Sequence, residues 1–256
     1  MVVRILVVNA VLLAAYMTLC FGLARARGRL DTVDTAWGLG FVLAAWSAYI
    51  QHASPRGLLV AVLVSVWGLR LSYHIWRRNR GREDDRRYRE ISRKWRGNLW
   101  RRAYMSVFLL QGGLVWLVSL PVVMVTGAKL VGLGWLSAAG TAVWLLGFTF
   151  EAVADYQLAG FLRAKDRPKV LQTGLWRYSR HPNYFGELTQ WWAIGLIALQ
   201  TSYGWIGLAG PLSLSLLIIF VSGIPPIEKH RQKDAEYQAY QKRTSPLIPL
   251  PPRRAA

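Results

Sequence analysis

The stretch LLVAVLVSVWGLRLSYHIWRRNRGR, residues 58–82, joins a long apolar run to a cationic ending. Residues 58–76 contain one charged side chain, Arg70, and are long enough to cross about 30 Å of hydrocarbon at about 1.5 Å per residue. Four arginines follow within residues 77–82. An apolar segment followed by clustered arginine is typical of a transmembrane helix that ends at the cytoplasmic surface.

Apolar runs of similar length recur along the chain, which has 256 residues and is 53% hydrophobic. No Gly/Ser-rich linker or internal repeat divides it. We therefore predict an all-α integral membrane protein of about seven transmembrane helices, folded as a single membrane domain over residues 1–256. The predicted spans are 3–23, 33–51, 58–76, 104–126, 131–154, 186–202 and 205–222.

The distribution of Lys and Arg predicts the orientation of these spans. The chain carries 32 Lys and Arg against 13 Asp and Glu, a net charge of +19. With the N-terminus outside and the C-terminus in the cytoplasm, 28 of the 32 basic residues fall in cytoplasmic segments, and only Arg4, Arg56 and Lys129 lie on the opposite side. We predict a multi-pass protein of the cell inner membrane, whose positive charge faces membrane lipids and not nucleic acid.

Several ionisable side chains and one amide lie within or just beside the spans, near the predicted cytoplasmic ends. These residues are Asp34, Arg70, Glu151, Asp155, Asn183 and Glu187. A charge in a span costs about 3 kcal/mol on insertion scales, so each of them needs a partner or a function. We expect a pocket that admits a charged cofactor from the cytoplasm and an apolar substrate from the bilayer. The alternative is that ion pairs such as Asp34–Arg70 and Glu187–Arg180 only hold helices together.

Three cytoplasmic motifs accompany these residues. The strongest is YSRHPNYFGE, residues 178–187, where Pro182 presets the start of a helix whose N-terminus favours an anion. The others are NRGRED at 79–84 and EKHR at 228–231. Together they provide acidic and basic partners for a phosphorylated nucleotide. For the arginines of loop 77–103, phosphate binding and anchoring on lipid headgroups remain open alternatives.

Several common site motifs are missing. The sequence contains no GxGxxG after a strand, no Walker A sequence and no HExxH. Its single cysteine, Cys20, excludes an internal disulfide and a CxxC metal site, and we expect no bound metal.

With these motifs the sequence resembles the steroid 5-alpha-reductase superfamily, specifically its bacterial members of unknown function. The resemblance covers most of the chain and is clearest in its C-terminal half, in Asp155-Tyr156, the Asn183-x-x-Gly186-Glu187 box, His230-Arg231 and the Leu247-Ile248-Pro249 tail. It implies a seven-helix fold that binds NADPH from the cytoplasmic side and reduces a carbon–carbon double bond conjugated to a carbonyl. The substrate class implied is a lipophilic, steroid-like ketone.

The resemblance also implies a set of cofactor-binding residues. They are Asn79, Arg82, Asp155, Arg163, Lys169, Asn183, Glu187 and His230, with Lys169 standing where the family has an arginine. The family's reductases carry a Gln-Glu pair on the second span that grips the substrate ketone, and this sequence has no such pair. Asp34 is the only acid in its second span.

For a reductase, an acid must stabilise the oxygen on which negative charge develops as hydride arrives. Tyr73, predicted to lie close to Asp34 and to be polarised by Arg70, is the expected donor. A protonated Asp34 is the second candidate, so Tyr73 and Asp34 are the predicted catalytic residues.

Two other functions fit parts of the pattern. Arg180-His181-Pro182-x-Tyr184 also resembles the helix start of isoprenylcysteine and phospholipid methyltransferases, which implies an S-adenosylmethionine-dependent membrane methyltransferase as the alternative. The 18 Lys and Arg of loops 77–103 and 155–185 favour the phosphates of NADPH over a sulfonium cofactor. A lipid-binding scaffold or transporter is the third possibility, although polar groups are confined to the predicted inner half of the bilayer. The sequence does not indicate an oligomeric state.

Overall fold

The structure is a computed structural model that describes residues 1–81, 86–93, 95, 97–128 and 132–253. All regular secondary structure in these residues is helical, and an isolated parallel bridge joins Ser179 to Ser245. The α-helices are α1 Val2–Arg27, α2 Thr32–Gln51, α3 Pro55–Asn79, α4 Arg86–Arg93, α5 Leu99–Ala103, α6 Leu110–Val118, α7 Leu120–Thr126, α8 Trp135–Arg163, α9 Pro182–Ala198, α10 Gly204–Gly207, α11 Ala209–Leu216, α12 Ile224–Arg231 and α13 Ala235–Arg243. Two π-helical segments, Tyr104–Leu109 and Leu217–Val221, and a 3-10 turn, Gly174–Arg177, complete them.

The described chain has five helical segments that are long and apolar enough to cross a membrane, which makes this a multi-pass membrane protein. They are Val2–Arg27, Thr32–Gln51, Pro55–Asn79, Trp135–Arg163 and Gly204–Arg231. A sixth arises if Leu99–Val118 and Leu120–Thr126, bent by 45° at Ser119, form one span. The predicted span at 186–202 corresponds to α9, which has 17 residues and is shorter than these. The all-helical membrane fold is confirmed, whereas the count of seven and the orientation stay predictions.

Contacts within the chain divide it into two compact units. Unit 1 contains Met1–Gly134 and Ile197–Gly210, and unit 2 contains Trp135–Leu196 and Pro211–Ala256. The first three helices and the segment from α4 to α7 belong to unit 1, while α8, most of α9 and the C-terminal helices belong to unit 2. That the whole chain forms a single domain remains a prediction.

In unit 1, helices α2 and α3 touch through their backbones. A Cβ atom on Gly38 would lie 2.4 Å from the carbonyl oxygen of Gly68, and one on Gly68 would lie 2.6 Å from that of Gly38. Small residues allow such close approach, and dispersion contacts between helices replace the hydrophobic effect that is weak inside a bilayer. The amide of Asn9 adds α1 to this pair by donating to the carbonyl of Ala44 at 3.0 Å.

In unit 2, helices α8 and α9 cross in the same way. A Cβ atom on Gly147 would lie 2.7 Å from the carbonyl oxygen of Gly186, and one on Gly186 would lie 2.5 Å from the backbone nitrogen of Glu151. One turn further along, the Nε2 of Gln190 donates to the Oε2 of Glu151 at 2.6 Å, and both residues are buried. The carboxyl of Glu151, which the sequence predicts near the cytoplasmic end of its span, therefore forms a hydrogen bond between α8 and α9.

The crossing predicts a different response to two glycine-to-alanine changes in α8. Gly147→Ala adds a methyl group against helix α9 backbone, so we expect a loss of about 1–3 kcal/mol of stability. Gly160→Ala, on the same helix, meets no atom within 4 Å and gains helix propensity, so it should be neutral or slightly stabilising. Thermal unfolding of the detergent-purified variants measures both. Equal midpoints for the two would contradict the close crossing.

Candidate functional site

Arg180, which precedes helix α9, forms the central ion pair of unit 2. Its Nε donates to the Oε1 of Glu228 at 2.7 Å, and its side chain is 10% exposed. One terminal nitrogen donates to the backbone carbonyls of Gln241 at 3.1 Å and Thr244 at 2.6 Å. The guanidinium is thus occupied by the protein itself. It does not pair with Glu187, the partner considered from the sequence.

Glu228 is held from three sides. The Nε2 of His181 hydrogen-bonds its Oε1 at 3.3 Å, and the Nε2 of Gln241 donates to its Oε2 at 3.1 Å. The imidazole of His181 is buried and stacks on the ring of Tyr184, with centroids 5.6 Å apart. Because both carboxylate oxygens of Glu228 accept hydrogen bonds, this cluster acts mainly to join α12 and α13 to the start of α9.

The C-terminal tail is fastened to the same segment. The hydroxyl of Tyr240 donates to the carbonyl of Trp176 and contacts that of Ser179 at 3.1 Å. Burial raises the pKa of the Tyr240 phenol, so this group stays protonated as a donor at neutral pH. Further bonds join Ser179 Oγ to the carbonyl of Leu247 at 2.7 Å and the nitrogen of Arg180 to the carbonyl of Ser245 at 2.8 Å.

Asn183 and Asp155, both predicted cofactor-binding residues, are in contact. The Nδ2 of Asn183, in the first turn of α9, donates to the Oδ1 of Asp155 on α8 at 3.3 Å. Asp155 is buried. The Oδ1 of Asn183 is also buried but accepts no hydrogen bond from the described part of the chain. An amide oxygen held in this way is a ready acceptor for an N–H or O–H group of a ligand.

The other predicted residues of unit 2 are placed differently. Glu187 lies one turn after Asn183 on α9 and is half-buried. Arg163, Lys169 and His230 are exposed, and among the described residues their side chains form no hydrogen bond with Asn183 or Asp155. The backbone carbonyl of Lys169 accepts a bond from Arg231 at 3.3 Å.

A cationic cavity of about 440 Å³ lies in unit 2, between the loop before α9 and the C-terminal tail. It is lined by Gln172, Thr173, Gly174, Arg177, Tyr240, Arg243, Thr244, Pro252 and Arg253. No described carboxylate forms an ion pair with its three arginines. Arg243 is oriented by a 3.1 Å hydrogen bond to Gln172.

The loop wall of this cavity depends on one backbone conformation. Gly174 has φ +60°, a left-handed backbone angle that residues other than glycine rarely adopt. The side chain of Gln157, on α8, packs against it and accepts a bond from the nitrogen of Leu175 at 3.0 Å. The sequence did not indicate Arg243 or Arg253, because they lie more than 60 positions after Arg177 and meet it only when the C-terminal segment folds back.

In unit 1, Asn79 is bound within a small cluster at the end of α3. Its Nδ2 lies 3.4 Å from the Oδ2 of Asp31, which also receives Arg29 at 2.7 Å. Arg29 reaches the backbone carbonyl of Asn79 at 3.4 Å as well. The predicted residue Arg82 lies outside the described residues.

The two predicted catalytic residues, Tyr73 and Asp34, have different surroundings. Tyr73 is 58% exposed, its ring lies 6.0 Å from that of Trp76, and its hydroxyl makes no hydrogen bond to the described chain. Asp34 instead accepts a 2.6 Å hydrogen bond from the hydroxyl of Tyr88, a buried residue of α4. Sequence reasoning missed Tyr88 as a partner because it lies 54 residues from Asp34 in a strongly charged segment.

The Arg180 cluster predicts that two neighbouring arginines differ in their effect on stability. Arg180→Gln leaves Glu228 and two carbonyls with fewer hydrogen-bond donors. We therefore expect the free energy of unfolding to fall by about 3 kcal/mol and hydrogen exchange in α13 to become faster. Arg177→Gln, an exposed change on the same segment, should leave both unaltered. Thermal unfolding and hydrogen-exchange mass spectrometry measure the effects. An Arg180→Gln variant with normal protection of α13 would refute the proposed role of Arg180.

Comparison with known proteins places the chain in a family. Residues 20–244 match the family described as "Protein of unknown function (DUF1295)". A Schizosaccharomyces pombe protein called Uncharacterized protein C594.04c is 28% identical over 212 residues, which cover 70% of this chain and 60% of that protein. The chain thus spans less than two thirds of the length of this relative. No solved structure matches. Because the family match covers most of its length, the chain belongs to the DUF1295 family.

Proposed function

We propose that this protein is a membrane-embedded, NADPH-dependent reductase of a conjugated carbon–carbon double bond in a lipophilic, steroid-like ketone. The observation that carries the proposal is the cavity of unit 2 lined by Arg177, Arg243 and Arg253. The resemblance of the sequence to the steroid 5-alpha-reductase superfamily supports the same reaction class. The apolar spans favour a substrate that partitions into the bilayer.

The charge of the cavity favours NADPH over S-adenosylmethionine. NADPH carries a pyrophosphate and a 2′-phosphate, and arginine binds phosphate through paired, charge-assisted N–H groups. S-adenosylmethionine carries a sulfonium cation, which three arginines without carboxylate partners would repel. Arg180 is already paired with Glu228 and is therefore not included among the phosphate ligands.

The Asn183–Asp155 pair has the chemistry to recognise the polar, uncharged parts of a nucleotide. The buried Oδ1 of Asn183 can accept from a carboxamide or a ribose hydroxyl, and Asp155 holds the amide in that orientation at 3.3 Å. Glu187, on the same helix as Asn183, supplies a second carboxylate. These groups fit the ribose or nicotinamide part of the cofactor, whereas the arginine cavity fits its phosphates.

When bound, NADPH supplies the hydride that reduces the double bond. The protein must then stabilise the ketone oxygen as it becomes an enolate, and deliver a proton. The Asp34–Tyr88 pair has the required chemistry, because a phenol and a carboxyl joined at 2.6 Å can share and donate a proton. We therefore assign Tyr88 as the donor, with Asp34 as its partner, in preference to the exposed Tyr73.

The cavity predicts that two adjacent residues of α13 differ in cofactor binding. Arg243→Gln removes a cavity cation and should weaken NADPH binding about threefold to tenfold, with a smaller salt dependence. Lys242→Gln removes the same charge from the neighbouring exposed position, which does not line the cavity, and should change binding less than twofold. Titration calorimetry with NADPH and with S-adenosylmethionine measures both. Tight S-adenosylmethionine binding without NADPH binding would replace the reductase by the methyltransferase.

Tyr88 and Tyr73 provide the corresponding test of the chemical step. Tyr88→Phe removes the donor, and since general acids contribute about 100-fold or more, kcat should fall by that order while NADPH affinity stays constant. Tyr73→Phe should keep turnover within about twofold of the unmodified protein. NADPH oxidation with a panel of lipophilic conjugated ketones measures both. The reverse pattern would restore Tyr73 as the donor.

A further inference from the structure

Unit 1 contains a cavity of about 600 Å³ at the end of α3 that lies away from Asn79. It is lined by Met1, Val2, Val3, Leu6, Arg56, Met124, Gly127, Ala128, Gln200, Thr201, Ser202, Tyr203 and Ile206. Arg56 and Asn79 lie 23 positions apart on one helix, about 35 Å at 1.5 Å per residue. The cavity is therefore a different place from the Asp34–Tyr88 and Asn79 clusters of the same unit. Its volume is within the range of about 300–1,000 Å³ for small-molecule sites.

Among the described residues that line this cavity, Arg56 is the one with a charged side chain, and it is only 5% exposed. Its Nε donates to the carbonyl of Gly132 at 2.9 Å, which fixes the guanidinium. Within the described residues its terminal nitrogens donate to no acceptor and no carboxylate pairs with it. A buried guanidinium is costly without a counter-charge, so this one is prepared for an anion.

The remaining lining is mostly apolar, and its rim is open. Val3 is 72% exposed, Tyr203 66% and Ile206 37%, although all three are large apolar or aromatic residues. A purely polar anion would pair with Arg56 but would gain nothing from this apolar part of the lining. A ligand with an anionic head and a hydrocarbon chain satisfies both parts, because the head pairs with Arg56 and the chain covers the rim.

We propose that this cavity binds an amphiphile with a single alkyl chain and an anionic headgroup, a carboxylate or a phosphate, with the headgroup on Arg56. Such ligands come either from free fatty acids or from single-chain, phosphate-bearing lipids of the membrane. In the predicted orientation of the chain, the cavity opens at the outer leaflet. The site is independent of the proposed reductase activity.

The test measures binding of dodecyl phosphate, dodecanoate, dodecanol and inorganic phosphate to protein in a neutral maltoside detergent, by native mass spectrometry. At least one of the two anionic amphiphiles should bind at least about tenfold more tightly than dodecanol, and inorganic phosphate should not bind measurably. Tighter binding of the phosphate indicates a lipid headgroup, and tighter binding of the carboxylate indicates a fatty acid. Equal affinity for dodecanol and both anions would overturn the proposal.

Two variants locate the site, with a matched control. Arg56→Gln should remove the preference for the anionic heads. The control Arg4→Gln, which removes an exposed arginine at the N-terminal end of α1, should change this preference less than twofold. Since Arg56 is buried and its loss can impair folding, Ile206→Trp provides a second variant, which fills the rim and should weaken all the amphiphiles. Equal losses for Arg56→Gln and Arg4→Gln, or binding unaffected by Ile206→Trp, would place the ligand elsewhere.

Discussion

The cost of removing a charge from water governs how this chain uses its arginines. Arg180 meets that cost within the protein, because one carboxylate and two carbonyls receive its N–H groups. The same cluster joins the start of α9 to α13 and fixes the tail that completes the arginine cavity. Arg180 therefore has a structural role. Its neighbour Arg177, Arg243 at the end of α13 and Arg253 in the tail line the cavity and can bind an anionic ligand.

Close helix packing is the second constraint, and it determines where polar groups can meet. Gly147 and Gly186 bring the α8 and α9 backbones together, and the Glu151–Gln190 bond follows on the same face. Asp155 and Asn183 meet across the same pair of helices. The cofactor-binding chemistry proposed for unit 2 thus rests on an interface where an added methyl group at the crossing would meet backbone atoms of the facing helix.

The apolar runs predicted the all-helical membrane fold, because length and composition are local properties of the sequence, whereas the count of seven spans stays a prediction. The sequence predicts Asn183 and Asp155 in one polar layer, since both fall at the cytoplasmic ends of predicted helices, and the structure brings them into contact, while their role in cofactor binding stays a prediction. The Arg180–Glu228 pair, the Asp34–Tyr88 bond and the cavity of Arg243 and Arg253 did not follow from the pattern. Each joins residues about 50 or more positions apart, and no periodicity encodes which side chain a folded-back tail will meet.

If the arginine cavity of unit 2 holds the phosphates of a dinucleotide, the bound nucleotide should be visible there. Electron cryo-microscopy of the purified protein with NADPH measures this. We expect phosphate density against Arg177, Arg243 and Arg253. Nucleotide density remote from these arginines, or a bound S-adenosylmethionine in the presence of both cofactors, would contradict it.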